Sequence, residues 1–137
     1  MRTALIIEDD EFAMNVLSAG LKRCGFAVVR AWDAIRAREI CREAKQALYL
    51  IVCDVKLPDL SGPAVMLETV QLQPSAPILF TSGTPLPGWS TGDLERLGEL
   101  ERRTRCVFLP KPFRISALVE AVHAALCGRN RRPLVAA

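Results

Sequence analysis

No apolar run in this chain approaches the roughly 18 residues that would suggest a membrane span. Met1-Arg2-Thr3-Ala4 leads into Leu5-Ile6-Ile7 and then the acids Glu8-Asp9-Asp10, an apolar stretch too short for a secretory signal. The chain therefore reads as cytoplasmic, with no membrane partner. None of the cysteines (Cys24, Cys41, Cys53, Cys106 and Cys127) stands in a Cys-x-x-Cys pair, and their number is odd. That argues against a zinc site or a disulfide framework and for buried thiols in a reducing compartment. The one histidine, His123, falls in an ordinary amphipathic segment and reads as a surface or boundary residue. Internal repeats and low-complexity stretches are absent. There is also no basic face. Lys plus Arg is 18 against 15 acids, but Arg129, Arg131 and Arg132 lie in residues 128–137, which contain no acid. The preceding 127 residues thus sum to zero charge, which excludes direct nucleic-acid binding as the leading idea.

What is present is a chain of 137 residues, 50% hydrophobic and 24% charged, the balance of one soluble globular domain with a real core. Short apolar runs alternate with segments of helical period. Residues 3–8, 26–30, 49–53, 77–81 and 106–109 read as strands. Between them, Ala13, Leu17, Leu21 and Cys24 form one helix face closed by Gly25. Asp33 can cap a second helix that turns Ala37, Ile40, Cys41 and Ala44 inward. Residues 64–72 and 91–103 predict two more helices, and Ile115, Leu118, Val119, Val122 and Leu126 mark the last, ending near Gly128. The fold class is α/β, with a five-stranded parallel sheet and helices on both faces. Residues 1–127 form one domain, followed by a short, flexible basic tail over 128–137.

In such sheets ligands bind at the carboxyl ends of the strands, near the switch in strand order. Strand one ends in Glu8-Asp9-Asp10, strand three in Cys53-Asp54, strand four in Thr81-Ser82 and strand five in Pro110-Lys111-Pro112. If strands one and three are neighbours, Glu8, Asp9 and Asp54 converge. Unpaired, they raise one another's pKa, a problem that a hard divalent cation removes. Mg²⁺ suits a few carboxylates beside a phosphate. Lys111 adds a point charge for phosphate oxygens, and Thr81 adds a hydroxyl. Acids, hydroxyl and lysine, each at its own strand end, describe a phosphoryl-transfer site.

The segments Leu5-Ile6-Ile7-Glu8-Asp9-Asp10-Glu11, Ile51-Val52-Cys53-Asp54-Val55-Lys56-Leu57-Pro58-Asp59-Leu60-Ser61-Gly62, Pro77-Ile78-Leu79-Phe80-Thr81-Ser82-Gly83 and Phe108-Leu109-Pro110-Lys111-Pro112-Phe113 resemble the receiver domain of two-component response regulators. The resemblance covers about residues 3–127. It implies a flavodoxin-like (βα)5 receiver fold with strand order 2-1-3-4-5. It implies Asp54 as phosphoacceptor, taking a phosphoryl group from a histidine kinase or histidine phosphotransfer protein. Mg²⁺ would be held by Asp9, Asp54 and the Lys56 backbone carbonyl, with Glu8 close by. Lys111 would hold a phosphoryl oxygen, while Thr81 and Phe108 would move as the switch toward a downstream protein target. The protein would be a signalling phosphoprotein, not an enzyme with a turnover substrate, acting alone or as a homodimer.

Some positions admit two readings. Thr81 and Lys111 are 30 residues apart, longer than receivers typically show, with the surplus in Gly83-Thr84-Pro85-Leu86-Pro87-Gly88-Trp89-Ser90-Thr91-Gly92. This predicts a long fourth loop and a short or displaced fourth helix. Trp89 either anchors a partner or folds back over Leu86 and the sheet edge. Lys56 either pairs with Glu8 or Asp9 or is a solvated loop lysine. Cys53, one residue before Asp54, points into the core by strand alternation. The rival functions are a phosphorylation-independent pseudo-receiver acting as an interaction module, and a small nucleotide or flavin binder. The second ranks last, because Asp10-Glu11-Phe12 stands where a glycine-rich turn would be needed.

Overall fold

A computed structural model describes residues 1–128 and 133–135. Its elements alternate without exception: β1 (Thr3–Ile7), α1 (Glu11–Arg23), β2 (Ala27–Ala31), α2 (Ala34–Glu43), β3 (Leu50–Asp54), α3 (Gly62–Leu72), β4 (Ile78–Ser82), α4 (Thr91–Glu101), β5 (Cys106–Pro110) and α5 (Ile115–Cys127). All strand pairs are parallel and the order is β2-β1-β3-β4-β5, as the resemblance implies. Each expected strand lies within one residue of its observed place.

Parallel strands buried on both faces need apolar residues at every position, and the alternation sorts them. Leu5, Ile7, Ile51, Cys53, Ile78 and Phe80 face one core, beneath α2, α3 and α4. Ala4, Ile6, Leu50, Val52 and Leu79 face the other, against α1 and α5. Cys53 is buried, as strand alternation requires, and His123 is exposed. The cysteines are less uniform than expected. Cys41, Cys53 and Cys106 are buried, Cys24 is half-buried and Cys127 is exposed at the end of α5.

Two helices depart from the sequence reading. Ser61 caps α3, accepting the Ala64 backbone N–H at 3.2 Å, so Gly62 and Pro63 open the helix instead of belonging to the loop before it. The fourth helix is not short. Ser90 accepts the Asp93 N–H at 3.1 Å and starts an eleven-residue α4, as long as α3. The helix-breaking residues are confined to the stretch before it, which makes a 3-10 turn at Leu86–Gly88. Within the tail, Arg129, Arg131 and Arg132 lie outside the described residues. Leu134 and Val135 pack on the core beside α4 and donate their backbone N–H groups to the two Glu101 carboxylate oxygens at 2.7 and 2.9 Å.

The loop between β3 and α3 does more than connect. Asp33 caps α2 through the Arg36 N–H at 2.8 Å, leaving other first-turn donors open. Asp59 takes two of them, accepting from Ala34 and Ile35 at 3.0 and 3.1 Å. Its slight burial opposes ionisation, but these N–H groups win and hold its carboxyl below the usual range. A group depressed on folding stabilises above its unfolded pKa, and that contribution is lost as pH falls through the folded value. Asp59→Ala should therefore cost about 1 kcal/mol near neutral pH, since the site is exposed. The difference from wild type should vanish on the acid side of the carboxylate range, as urea unfolding at several pH values will read.

Candidate functional site

The sheet order sets the site. Ile7 pairs with Cys53 and Asp54 with Thr81, so the chain leaves β1 and β3 side by side at the carboxyl end of the sheet. Glu8 continues past β1, where its N–H donates to the Ala31 carbonyl at 3.0 Å. Asp54 is the last residue of β3, and Val55 beyond it donates to the Thr81 carbonyl at 3.0 Å. Lys111 follows β5, its N–H donating to the Ser82 carbonyl at 2.8 Å. The backbone at Glu8, just after Asp54 and at Lys111 is thus fixed by a main-chain bond to the neighbouring strand.

Oxygens of Glu8, Asp9 and Asp54 lie within 4.8 Å of one another. Glu8 is fully buried, Asp54 is 7% exposed and Asp9 is exposed. The Lys111 ammonium donates to Glu8 Oε2 at 2.9 Å and stands 3.5 Å from Asp54 Oδ2. Burial pushes the Glu8 carboxyl up, and the Asp54 charge adds to the rise against the pull of Lys111. Burial also raises Asp54, opposed by Lys111 and by the Lys56 backbone N–H. For Lys111 burial works against the charge, but Glu8 and Asp54 outweigh it and keep the ammonium protonated above its usual range. Three carboxylates against one ammonium leave a deficit of two positive charges. Oxygen-only donors at this spacing fit a hard divalent cation such as Mg²⁺. The Thr81 hydroxyl points the same way, being fully buried with no partner for Oγ1 among the described residues.

The other expected residues fall as follows. Asp10 does not join the cluster; it caps α1, accepting the Ala13 N–H at 2.8 Å. The Lys56 side chain is exposed and forms no ion pair among the described residues, so the solvated reading holds, and Lys111 is the cation on the acids. Phe108 is half-buried in register with Phe80. Trp89 folds back. It is 7% exposed, edge-on to Phe80 at 6.0 Å and to Phe108 at 5.6 Å between ring centroids.

Three supporting features escaped the sequence reading. A Cβ on Gly62 would come 2.3 Å from the Asp54 carbonyl oxygen, so only glycine lets α3 begin against β3. The Gly62 N–H donates to the Val55 carbonyl at 2.7 Å, closing the loop that carries Lys56. Ser61 Oγ donates to Asp93 at 2.7 Å, tying that loop to α4. Beside the acids, an open groove of about 580 Å³ is lined by Phe12, Ala13, Val16, Pro112 and Phe113, with Asp10 and Lys111 at its polar end. Phe12 is 77% exposed and lies off the Ala13-Leu17-Leu21 stripe, a signal the sequence did carry.

A family model described as "Response regulator receiver domain" matches residues 4–123. The chain is 30% identical over 114 residues to the two-component response regulator ARR10 of Arabidopsis thaliana, covering 83% of this chain and 19% of that protein. It is 27% identical over 124 residues to the sensor kinase CckA of Brucella abortus, covering 90% and 12%. The chain therefore spans only a small part of these relatives' length. Among solved structures, a CheY-like receiver domain protein from Methanospirillum hungatei superposes with TM-score 0.77 at 20% identity, over 93% of this chain and 95% of that one. A Burkholderia pseudomallei response regulator holding a phosphorylated aspartic acid, a calcium ion and citrate gives TM-score 0.70 at 26% identity, over 92% and 66%.

Two outcomes follow from the charge balance. An acid whose pKa rises on folding stabilises below its unfolded pKa, and that stability is lost as pH rises through the folded value. Lys111→Met removes the counter-charge, so it should cost about 2 kcal/mol near pH 7. The deficit should shrink as the medium is acidified from the raised Glu8 and Asp54 values toward the ordinary carboxylate range, as urea midpoints will show. Separately, millimolar Mg²⁺ should raise the melting temperature of the wild type, and Asp9→Asn should weaken that rise; equal rises in both would remove Asp9 from the metal site.

Proposed function

Because the chain belongs to the response regulator receiver domain family, a family of signalling modules, we propose that it accepts a phosphoryl group on Asp54 from a phosphohistidine of a partner protein and signals through the resulting conformational change. The observation that carries this reading is the Glu8, Asp9 and Asp54 cluster with the Lys111 ammonium between two of its members. A buried carboxylate whose only nearby cation among the described residues is one lysine is poised for a reaction that needs charge neutralisation and in-line positioning rather than a strong base.

An Asp54 carboxylate oxygen attacks the phosphorus of the phosphohistidine. A P–O bond forms as the N–P bond breaks, and the imidazole nitrogen leaves with the electron pair and takes up a proton. Lys111, already aimed at Asp54, holds an oxygen of the transferred group. Asp9, Asp54 and the Lys56 carbonyl, with Glu8 beside them, would hold Mg²⁺, which would supply charge neutralisation of the phosphoryl oxygens. The Thr81 hydroxyl, without a partner among the described residues, donates to another phosphoryl oxygen. Water later attacks the phosphorus, breaks the Asp54 P–O bond and releases inorganic phosphate.

The donor's helix would dock in the apolar groove of Phe12, Val16, Pro112 and Phe113, which opens beside Lys111. An apolar groove flanking a charged centre suits an amphipathic helix that delivers one polar side chain. A histidine kinase or a histidine phosphotransfer protein has that chemistry. The known relatives include both a response regulator and a sensor kinase, so the chain's place in a relay is set by its partners.

Intact mass after incubation with a small acyl phosphate and Mg²⁺ tests the reading. Wild type should gain one phosphoryl group, while Asp54→Asn should gain none. Wild type that binds Mg²⁺ and takes no phosphoryl group from a small donor or from any phosphohistidine protein would overturn it in favour of a phosphorylation-independent module.

A further inference from the structure

The long segment after β4 holds an aromatic residue that packs on Phe108 and is hydrogen-bonded, through Thr84 and Ser82, to the strand end that carries Thr81. Trp89 is buried although it lies between a 3-10 turn and the start of α4, in a stretch rich in glycine and proline. Its indole N–H donates to the Thr84 carbonyl at 2.9 Å. The Thr84 N–H in turn donates to Ser82 Oγ at 3.0 Å. Ser82 is the residue after Thr81 and the acceptor of the Lys111 N–H. A short chain of hydrogen bonds therefore runs from the strand end that carries Thr81 to the indole. On its other side the indole stands edge-on to Phe108 and Phe80, with interplanar angles of 86° and 77°. Such edge contacts have a preferred geometry, so a rotation of one ring forces the others to repack.

Resting on the phosphoacceptor reading, we propose that Trp89 is the positioning residue that couples Asp54 phosphorylation to the face formed by Phe108 and α4. In the resting protein it wedges Phe108 in place and pins the loop through Thr84. When the Thr81 hydroxyl is drawn to the phosphoryl group, the Thr81–Ser82 strand end shifts and the Thr84 carbonyl with it. The indole then loses its seat, and Phe108 is free to change rotamer. The cost of displacing Trp89 sets how readily the switch is thrown. A packed core with two discrete arrangements makes this a two-state step rather than a graded one. Because α4 begins two residues after Trp89, movement of the indole is passed directly to that helix. Its other anchor, the Ser61 to Asp93 bond, leads back to the loop after Asp54, so α4 feels the site from two directions.

The test uses the full chain with Trp32→Phe, which leaves Trp89 as the only tryptophan. Emission and acrylamide quenching are recorded before and after incubation with a small acyl phosphate and Mg²⁺, with phosphoryl occupancy read by intact mass on the same samples. The expected result is a shift of Trp89 emission to longer wavelength and stronger quenching in step with phosphorylation. A full gain of mass with unchanged emission and quenching would overturn the coupling while leaving the phosphoacceptor reading intact. No gain of mass from the small donor or from a phosphohistidine protein would overturn that reading, and the coupling with it. A second arm compares the fraction phosphorylated at one limiting donor concentration. Trp89→Ala should raise it by removing the wedge that favours the resting form, and Trp89→Phe, which keeps a ring against Phe108, should return it toward wild type. Equal fractions in all three would also overturn the proposal.

Discussion

One lysine holds the carboxyl end of this sheet together. Lys111 follows β5, while the acids it contacts lie at the ends of β1 and β3, neither of which pairs with β5, so a single ammonium links parts of the sheet that no main-chain ladder joins directly. Without it, Glu8 and Asp54 would be buried carboxylates facing each other, an arrangement that costs several kcal/mol unless protons or a cation intervene. The lysine offsets part of that repulsion but leaves the cluster short of positive charge. Incomplete compensation is what makes the site useful. A fully neutralised pocket would have no reason to attract a divalent cation, and an uncompensated one would open the ends of the sheet.

The surrounding loops are built to keep that charge cluster rigid while leaving one side responsive. The β3–α3 loop is closed by the Gly62 to Val55 hydrogen bond, caps α2 with Asp59 and holds α4 through Ser61 and Asp93. It therefore locks three helices to the strand that bears Asp54. The β4–α4 segment is fastened more lightly, by the indole of Trp89 and the hydroxyl of Ser82. The contrast matters for function. Under the proposed function, the side that carries Asp54 needs sub-ångström order, whereas a side that reports the reaction needs a second arrangement within a few kcal/mol of the first.

Much of this was legible because the fold uses strongly periodic segments. Five apolar runs bounded by polar residues placed every strand within one position, and the parallel order then brought Glu8, Asp9, Asp54, Thr81 and Lys111 to one end. What escaped the sequence shares one physical cause: the partner is remote along the chain. Asp59 caps a helix that begins 25 residues before it, and Ser61 meets an aspartate 32 residues ahead. Neither bond leaves a local pattern. Gly62 is required by a main-chain oxygen eight residues back, which looks like loop composition until the backbone is in place. The expected shortening of the fourth helix failed for a related reason. Glycine and proline were weighed over the whole stretch 83–92, but Ser90 resets the chain with a cap, and a helix needs only a good start after its breakers.

Trp89 shows why composition alone left its role open. A tryptophan in a glycine- and proline-rich loop fits an exposed anchor as well as a buried wedge, and the choice depends on whether its N–H finds a partner once covered. Here Thr84, five residues earlier, supplies the carbonyl, and the 3-10 turn between them brings it into reach. The same turn that makes the loop look irregular is what allows the indole to be buried. With the polar atom satisfied, the ring gains the space beside Phe80 and Phe108 at little cost. The extra loop length, read from sequence as shortening or displacing the fourth helix, is instead the means by which a large aromatic side chain is buried beside Phe108.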